Sequence, residues 1–146
     1  MKPLLPAFAV LALAAPALAE PITYEVDQPI DDVLFVLESE IIGRGLNIDS
    51  VSHVAEMLKR TGKDLGATTE IFIDAQTFSF CSAQLSRQVM EANPANVAYC
   101  PYKIFAYATP DRPDVTIVGH EDYPDGEMQA VEDFLTSIVK AALFLE

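Results

Sequence analysis

The fold is decided by one stretch in the C-terminal half, where residues 103–119 read KIFAYATPDRPDVTIVG. Two runs rich in β-branched and aromatic residues, 103–108 and 115–119, flank the turn-forming sequence PDRP at 110–113. Strand-forming runs separated by a short segment of proline and aspartate are typical of a β-hairpin. We therefore expect an antiparallel pair of strands here.

Helical patterns lie on both sides of this hairpin. Apolar residues at helical spacing predict a first helix that starts near Pro29 and ends at Gly43 to Gly45. A second helix is expected from an N-cap at Ser50 to about Gly62, with Val51, Val54, Ala55 and Leu58 on one face. Ser82 is expected to cap a third helix over 83–92, and a long C-terminal helix is expected to start at 124–126.

Further strands are expected over 22–26, 46–48 and 77–81, whereas the pattern assigns residues 63–73 to neither a helix nor a strand. Strands mixed with amphipathic helices, with the clearest strand pair joined as a hairpin, predict an α+β fold. We expect a two-layer domain, in which helices pack on one face of a largely antiparallel sheet. A doubly wound parallel sheet would need longer continuous apolar strands and glycine-rich turns at the strand ends.

The N-terminus has the pattern of a cleavable signal peptide over residues 1–19. Lys2 supplies a positive charge, residues 4–13 form a short apolar run, and Ala17-Leu18-Ala19 places small residues before the cleavage site. The apolar run is shorter than the roughly 20 residues that span a bilayer, so an uncleaved membrane anchor is the weaker alternative. We expect a periplasmic protein with a single domain over 20–146 and no stable membrane insertion after cleavage.

The composition is strongly acidic. The chain has nine basic and 22 acidic side chains, and because Lys2 leaves with the leader, eight basic side chains and a net charge of −14 remain. Such a surface repels nucleic acids and anionic lipid surfaces, so DNA or RNA binding is not expected. Acidity that keeps an exported protein soluble is the simpler explanation, and a basic protein partner is the alternative.

Cys81 and Cys100 are the two cysteines of the chain. An even number of cysteines in an exported protein favours a disulfide, which would join the end of one predicted strand to the start of another. The alternative is redox chemistry, because Cys81 directly precedes a helix N-terminus, where the helix dipole stabilises a thiolate. Free thiols and metal ligation are further alternatives.

Other candidate site residues are few, and no catalytic motif is present. Arg60 and Arg87 could bind an anionic ligand, although salt bridges are the simpler interpretation in so acidic a chain. His53 and His120 are weak candidates for a soft-metal or haem site, alone or with the cysteines and Met57 or Met90. The identity of any cofactor is left open.

Three blocks of sequence, in order, resemble the bacterial "domain of unknown function 302" family. They are Met57 to Gly62, Phe80 to Arg87 and Cys100 to Ile104, within a resemblance that spans about 34–123. The resemblance implies a small α+β fold with an antiparallel sheet and helices on one side, and it implies no established activity. The sequence departs from the pattern at Gly119-His120-Glu121, and the C-terminal helix lies outside the resembling span.

Because catalytic motifs are missing and the blocks cluster around the cysteines, we expect an exported, non-catalytic binding or accessory protein. Its ligand or partner surface would lie near Ser82, Arg87 and Tyr102, with Arg60 as a further candidate. The alternative is a periplasmic redox protein that uses Cys81 and Cys100 or binds haem or a soft metal. A third possibility is a subunit that docks on a partner protein through its C-terminal helix.

Overall fold

The structure, a computed structural model, describes residues 20–145, and the predicted leader over 1–19 lies outside the described residues. The strands are β1 (Ile22–Val26), β2 (Ile48–His53), β3 (Asp74–Phe80), β4 (Tyr102–Thr109) and β5 (Arg112–His120). The helices are α1 (Ile30–Gly43), α2 (Val54–Gly62), α3 (Ala83–Ala92) and α4 (Gln129–Ala142), with a 3₁₀ turn at Pro94–Tyr99.

The hairpin of β4 and β5 lies at the centre of the sheet. The two strands pair antiparallel, with Tyr107 opposite Ile117 and Thr109 opposite Arg112, so that Pro110 and Asp111 form the turn. The strand order is β1-β5-β4-β3-β2, and every neighbouring pair is antiparallel. The predicted hairpin and the predicted antiparallel sheet are confirmed.

One face of this sheet carries the hydrophobic core. Side chains alternate along β4, and Tyr102, Ile104, Ala106 and Ala108 are buried, where α1 packs on β4 and β5 and α4 packs on β5. The buried faces of the two helices have the helical spacing that the sequence predicts: Ile30, Val33, Leu34, Leu37 and Ile41 on α1, and Val131, Leu135, Ile138, Val139 and Ala142 on α4. The domain is therefore a two-layer α+β fold, as expected.

The other face of the sheet, here called the open face, is only partly covered. Lys103 is exposed and Phe105 and Tyr107 are half-buried there, because they alternate with the core residues of β4. Gly119 of β5 lies on the same face, opposite Phe105. A Cβ atom at Gly119 would lie 2.7 Å from the Phe105 ring and 2.5 Å from the Ile22 carbonyl oxygen. Only glycine fits at this position.

The boundary between β2 and α2 differs from the prediction. The expected strand at 46–48 is replaced by β2, which continues to His53, so Ser50 lies in a strand opposite Ser79 and caps no helix. Helix α2 starts at Val54 without a side-chain cap. The physical reason is tertiary: hydrogen bonds to β3 satisfy the backbone of β2, and Val51 pairs with Phe78 at the edge of the core.

Two other boundaries shift by a few residues. Helix α4 starts at Gln129 and not at 124–126, because Gly126 has a φ of +101°, which is incompatible with a helix. Strand β3 starts at Asp74 and ends before Cys81, which lies just beyond the strand. The expected strand at 22–26 and the expected helix at 83–92 are confirmed at their predicted bounds.

His120 is a fully buried polar residue at the end of β5. Its Nδ1 lies 2.8 Å from the Glu121 carbonyl oxygen, to which it donates, so Nε2 accepts from the Thr136 hydroxyl at 3.0 Å. Both ring nitrogens are satisfied by a neutral ring. Burial lowers the pKa of His120 below its ordinary value. The residue is therefore a neutral core histidine that joins β5 to α4.

Within residues 20–145, no helix is long and apolar enough to cross a bilayer.

We predict that Gly119→Ala destabilises the domain by about 1–3 kcal/mol, because the added methyl group would meet backbone on one side and an aromatic ring on the other. Gly43→Ala is the matched control, since nothing lies within 4 Å of a Cβ atom there. Urea unfolding of both variants measures the difference. A Gly119→Ala variant as stable as the Gly43→Ala control would contradict the assigned packing of β1 against β5.

We predict that His120 makes the domain less stable in mild acid. Its pKa is lowered in the folded state, so the unfolded chain binds a proton first, and this contribution to stability is present above about pH 6.5 and lost as the pH falls. Urea unfolding at pH 8 and pH 5.5 should show a larger loss for the wild-type chain than for His120→Gln. Equal losses in the two proteins would show that His120 does not titrate on unfolding.

Candidate functional site

A cleft of about 800 Å³ lies at the end of the sheet where the hairpin turns. Its walls are α2, the 63–73 segment that follows α2, and the first turn of α1. We call it the α2 cleft. Its lining residues are Ile30, Asp31, Ala55, Glu56, Leu58, Lys59, Thr61, Gly62, Lys63, Leu65, Ala67, Thr68, Thr69, Glu70, Ile71, Phe72, Ile73 and Asp74.

Helix α2 forms one wall of the cleft and is amphipathic without being part of the core. Ala55, Leu58 and Thr61 line the cleft and are half-buried, and no residue of the helix is fully buried. An amphipathic surface helix ordinarily buries its apolar stripe against the core. In α2 that stripe borders the cleft, and so its apolar side chains are left accessible to a small molecule.

The 63–73 segment forms the facing wall. Backbone hydrogen bonds hold it near its ends, from the Ala67 amide to the Gly62 carbonyl at 2.8 Å and from the Ile73 amide to the Ala108 carbonyl at 2.9 Å. It carries three large apolar side chains, Leu65, Ile71 and Ile73, which are 81, 54 and 45% exposed. Clustered exposed apolar side chains with a polar rim mark ligand or interaction sites more often than isolated ones do.

Phe72 separates the α2 cleft from the open face of the sheet. Its ring packs edge-to-face on Tyr107, with 5.4 Å between the ring centroids. It lines the cleft and also a hollow of about 170 Å³ on the open face, which Val54, Ala75 and Phe105 help to line. Phe72 therefore lies between the two cavities and lines both of them, and Tyr107 lines the one on the open face.

The disulfide lies at the other end of β3. Cys81 follows β3, Cys100 precedes β4, and the two are joined with 6.5 Å between their Cα atoms. The bridge encloses α3 and the 3₁₀ turn, and the peptide bond between Cys100 and Pro101 is cis. Ser82 caps α3, since its hydroxyl accepts from the Leu85 amide at 3.4 Å. The expected disulfide is present, and the expected helix cap is confirmed.

The other sequence-predicted ligand residues at this end have local partners. Tyr102 is buried, and its hydroxyl accepts from the Ser86 hydroxyl at 3.1 Å. Arg87 is mostly exposed and pairs with Glu91 at 2.8 Å. Tyr123 packs edge-to-face on Tyr102; its buried hydroxyl has no hydrogen-bond partner among the described residues, and burial raises its pKa above the usual value. These residues line neither the α2 cleft nor the second cavity, which is lined by Val54, Phe72 and Phe105 among others.

The structure does not bring the four ligand candidates together. Ser82, Arg87 and Tyr102 lie at the disulfide end, whereas Arg60 is exposed on α2. Strand β3 runs from the α2 cleft at Asp74 to the disulfide, which separates the two regions by roughly 20 Å at the rise of an extended strand. A surface at Ser82, Arg87 and Tyr102 stays a prediction, and Arg60 belongs to a different region.

The two histidines are also far apart. His53 is exposed at the end of β2, and His120 is buried on β5. Strands β3 and β4 lie between them, a separation of roughly 14 Å at the usual strand spacing. Within residues 20–145 no three histidine, cysteine or carboxylate side chains form a group that could hold a metal ion. Both ring nitrogens of His120 are already engaged in the core.

The α2 cleft is the feature that the sequence did not locate. One signal pointed to it: the block Met57 to Gly62, which carries part of the family resemblance, lies on α2. The sequence predicts that helix with apolar residues on one face, and it predicts neither a helix nor a strand over 63–73. The first turn of α1, which closes the cleft at Ile30, is distant in sequence from both.

Comparison with known proteins agrees with this fold. A crystal structure of an uncharacterised conserved DUF302 protein from Bacillus stearothermophilus is similar to this chain. The two superpose with a TM-score of 0.61 at 16% sequence identity, covering 84% of this chain and 94% of the other. No curated protein matches the chain significantly.

The family model of the domain of unknown function DUF302 matches residues 22–142. The match extends the resembling span at both ends, so β1 and α4, which the sequence comparison left outside, are part of the family's domain. The resemblance seen in the three sequence blocks is therefore correct, and this chain belongs to the DUF302 family.

Proposed function

We propose that this chain is an exported, non-catalytic binding protein of the periplasm that holds a small apolar molecule in the α2 cleft. The observation that carries the proposal is a cleft of about 800 Å³, half of whose lining residues are apolar, beside a helix that has no fully buried residue. Pockets for small molecules commonly have volumes of about 300–1,000 Å³, apolar walls and a few polar groups. The signal-peptide pattern of residues 1–19 supports export.

The chemistry of the lining supports binding over catalysis. Its polar members are threonines, carboxylates and two lysines, and the described lining includes no histidine, cysteine, serine or tyrosine. Nucleophilic catalysis requires an activated nucleophile beside a general base, most often serine or cysteine beside histidine. The lining instead offers an apolar surface with charges at its edge, which suits recognition of a molecule that leaves chemically unchanged.

The redox alternative rests on Cys81 and Cys100. Both cysteines are partly exposed, and Cys81 lies just before Ser82, the N-cap of α3, where a thiolate would be stabilised. Against it, the bridge joins neighbouring antiparallel strands at the point where α3 leaves and rejoins the sheet, which is the position of a structural crosslink. We therefore infer that the disulfide stabilises the fold and that the cleft carries the function.

Docking through the C-terminal helix is a weaker proposal. Val139, Ala142 and Leu143 are buried in the core, while Phe144 and Leu145 beyond the helix are exposed. Because α4 covers the sheet, its removal should unfold the domain and would not simply release a partner.

We predict that Leu58→Gln weakens binding of the neutral apolar fluorophore N-phenyl-1-naphthylamine about tenfold, since it replaces an apolar side chain that lines the cleft. Met57→Gln is the matched control on the same helix, because Met57 does not line the cleft. Fluorescence titration gives the affinity, and circular dichroism checks that both variants fold. A wild-type protein that does not bind the fluorophore, or equal affinities in the two variants, would contradict the proposed site.

We predict that Cys81→Ser with Cys100→Ser lowers the free energy of unfolding by about 3 kcal/mol, the loop-closure contribution for a bridge of this span. Binding of the fluorophore to the folded double variant should be unchanged, because the cleft lies at the other end of β3. Thiol alkylation and mass spectrometry after equilibration in glutathione buffers test the alternative. A potential between about −270 and −120 mV, the range of thiol oxidoreductases, would support redox function.

A further inference from the structure

The basic residues of this acidic chain are distributed unevenly with respect to the α2 cleft. After removal of the leader eight remain, and three of them, Lys59, Arg60 and Lys63, fall within five positions at the end of α2. Lys59 and Lys63 line the cleft. Three cationic residues therefore lie close together in sequence at a cleft whose lining also carries four carboxylates, in a chain of net charge −14.

These three residues are unpaired, unlike the arginines elsewhere in the fold. Arg44 pairs with Glu40 at 2.7 Å, Arg87 with Glu91 at 2.8 Å and Arg112 with Glu25 at 2.6 Å. Within residues 20–145, Lys59, Arg60 and Lys63 form no ion pair or hydrogen bond through their side chains. Among the described residues Lys103 on the open face also makes no ion pair, so the distinctive feature of Lys59, Arg60 and Lys63 is that three such cations lie close together in sequence.

The spacing on α2 would allow such pairs. Glu56 and Arg60 have the same i,i+4 spacing that yields a pair at Glu40 and Arg44, with the acidic residue in the favoured N-terminal position, yet they do not pair. Lys59 and Lys63 are also four residues apart, and like charges at this spacing destabilise a helix. The C-terminal end of the α2 dipole is negative and favours cations in the last turn, but it does not account for the missing acidic partners.

Three of the four carboxylates in the lining of the cleft have other roles. Asp31 and Glu56 lie in the first turns of α1 and α2, where the helix dipole stabilises a negative charge. Asp74 accepts from the Ala75 amide at 2.7 Å and from the Gln76 side chain at 2.8 Å. Glu70 lies on the 63–73 segment. The lining has six charged side chains, and three of them are neither in a first helical turn nor hydrogen-bonded. These three are Lys59, Lys63 and Glu70.

We infer that the α2 cleft takes an amphiphile with a negatively charged head, such as a long-chain carboxylate, whose apolar tail lies along Leu58 and Phe72 and whose head is bound by Lys59 and Lys63. The inference rests on the proposed binding function and specifies its ligand class. The net negative charge of the chain repels anions at a distance. A carboxylate head would therefore need local ammonium groups that bind it by charge-assisted hydrogen bonds. Arg60 lies on the same helix, outside the lining, and adds to the local positive potential.

The test compares three probes of equal chain length by displacement of N-phenyl-1-naphthylamine. Dodecanoate and dodecyltrimethylammonium are used below their critical micelle concentrations, and 1-dodecanol is used below its solubility limit. Wild-type protein should bind dodecanoate about tenfold more tightly than dodecanol, because a charge-assisted hydrogen bond adds to the apolar contact. The cationic probe should bind most weakly. Equal affinities for dodecanoate and dodecanol, or preference for the cation, would overturn the inference while leaving the proposed cleft intact.

Single variants locate the head group. Lys59→Gln and Lys63→Gln should each reduce affinity for dodecanoate severalfold and leave affinity for dodecanol unchanged. Lys103→Gln is the matched control, because it removes the same charge from the exposed open face. An equal loss in the control would show that net charge alone is responsible and would overturn the inference. If neither the fluorophore nor any of the three probes binds, the proposed function fails and the inference fails with it.

Discussion

The register of β4 between its two neighbours is the constraint on which the rest of the structure depends. Because side chains alternate along a strand, pairing β4 with β3 and β5 in one register puts Tyr102, Ile104 and Ala106 on the core face and Phe105 and Tyr107 on the open face. Helices α1 and α4 can then cover one face only. The small side chains of Ala106 and Ala108 leave room on that face for the helix above them.

The same register gives the domain two chemically different ends. At one end the disulfide, the Ser82 cap and the bond between Ser86 and Tyr102 fix α3 to the sheet. At the other end α2 and the 63–73 segment lie beside the hairpin turn without joining the core. In the proposed function, the crosslinked end stabilises the fold and the end beside α2 binds the ligand. Binding sites are commonly placed in such less stable regions.

Charge distinguishes the two ends as well. The arginines outside α2 are used in ion pairs on α1, on α3 and between β1 and β5. Exposed pairs of this kind contribute little to stability, usually less than about 1 kcal/mol. The positive charges of Lys59, Arg60 and Lys63 are not neutralised by such pairs. In the proposed site, recognition of an anionic head group would depend on a few cationic side chains that lie close together in an acidic chain.

Four features could be predicted from the amino-acid sequence alone: the class of fold, the hairpin, the apolar faces of α1 and α4, and the capped helix that starts after Ser82. These features follow from local rules: side-chain period, turn residues and helix caps. Other features depend on tertiary contacts that local rules do not describe. Ser50 and Val51 join a strand because β3 supplies their hydrogen bonds, and His120 is neutral because the core surrounds it. The cleft exists because α2, the 63–73 segment and Ile30 meet in space, and a meeting of segments distant in sequence leaves no periodic signal in any one of them.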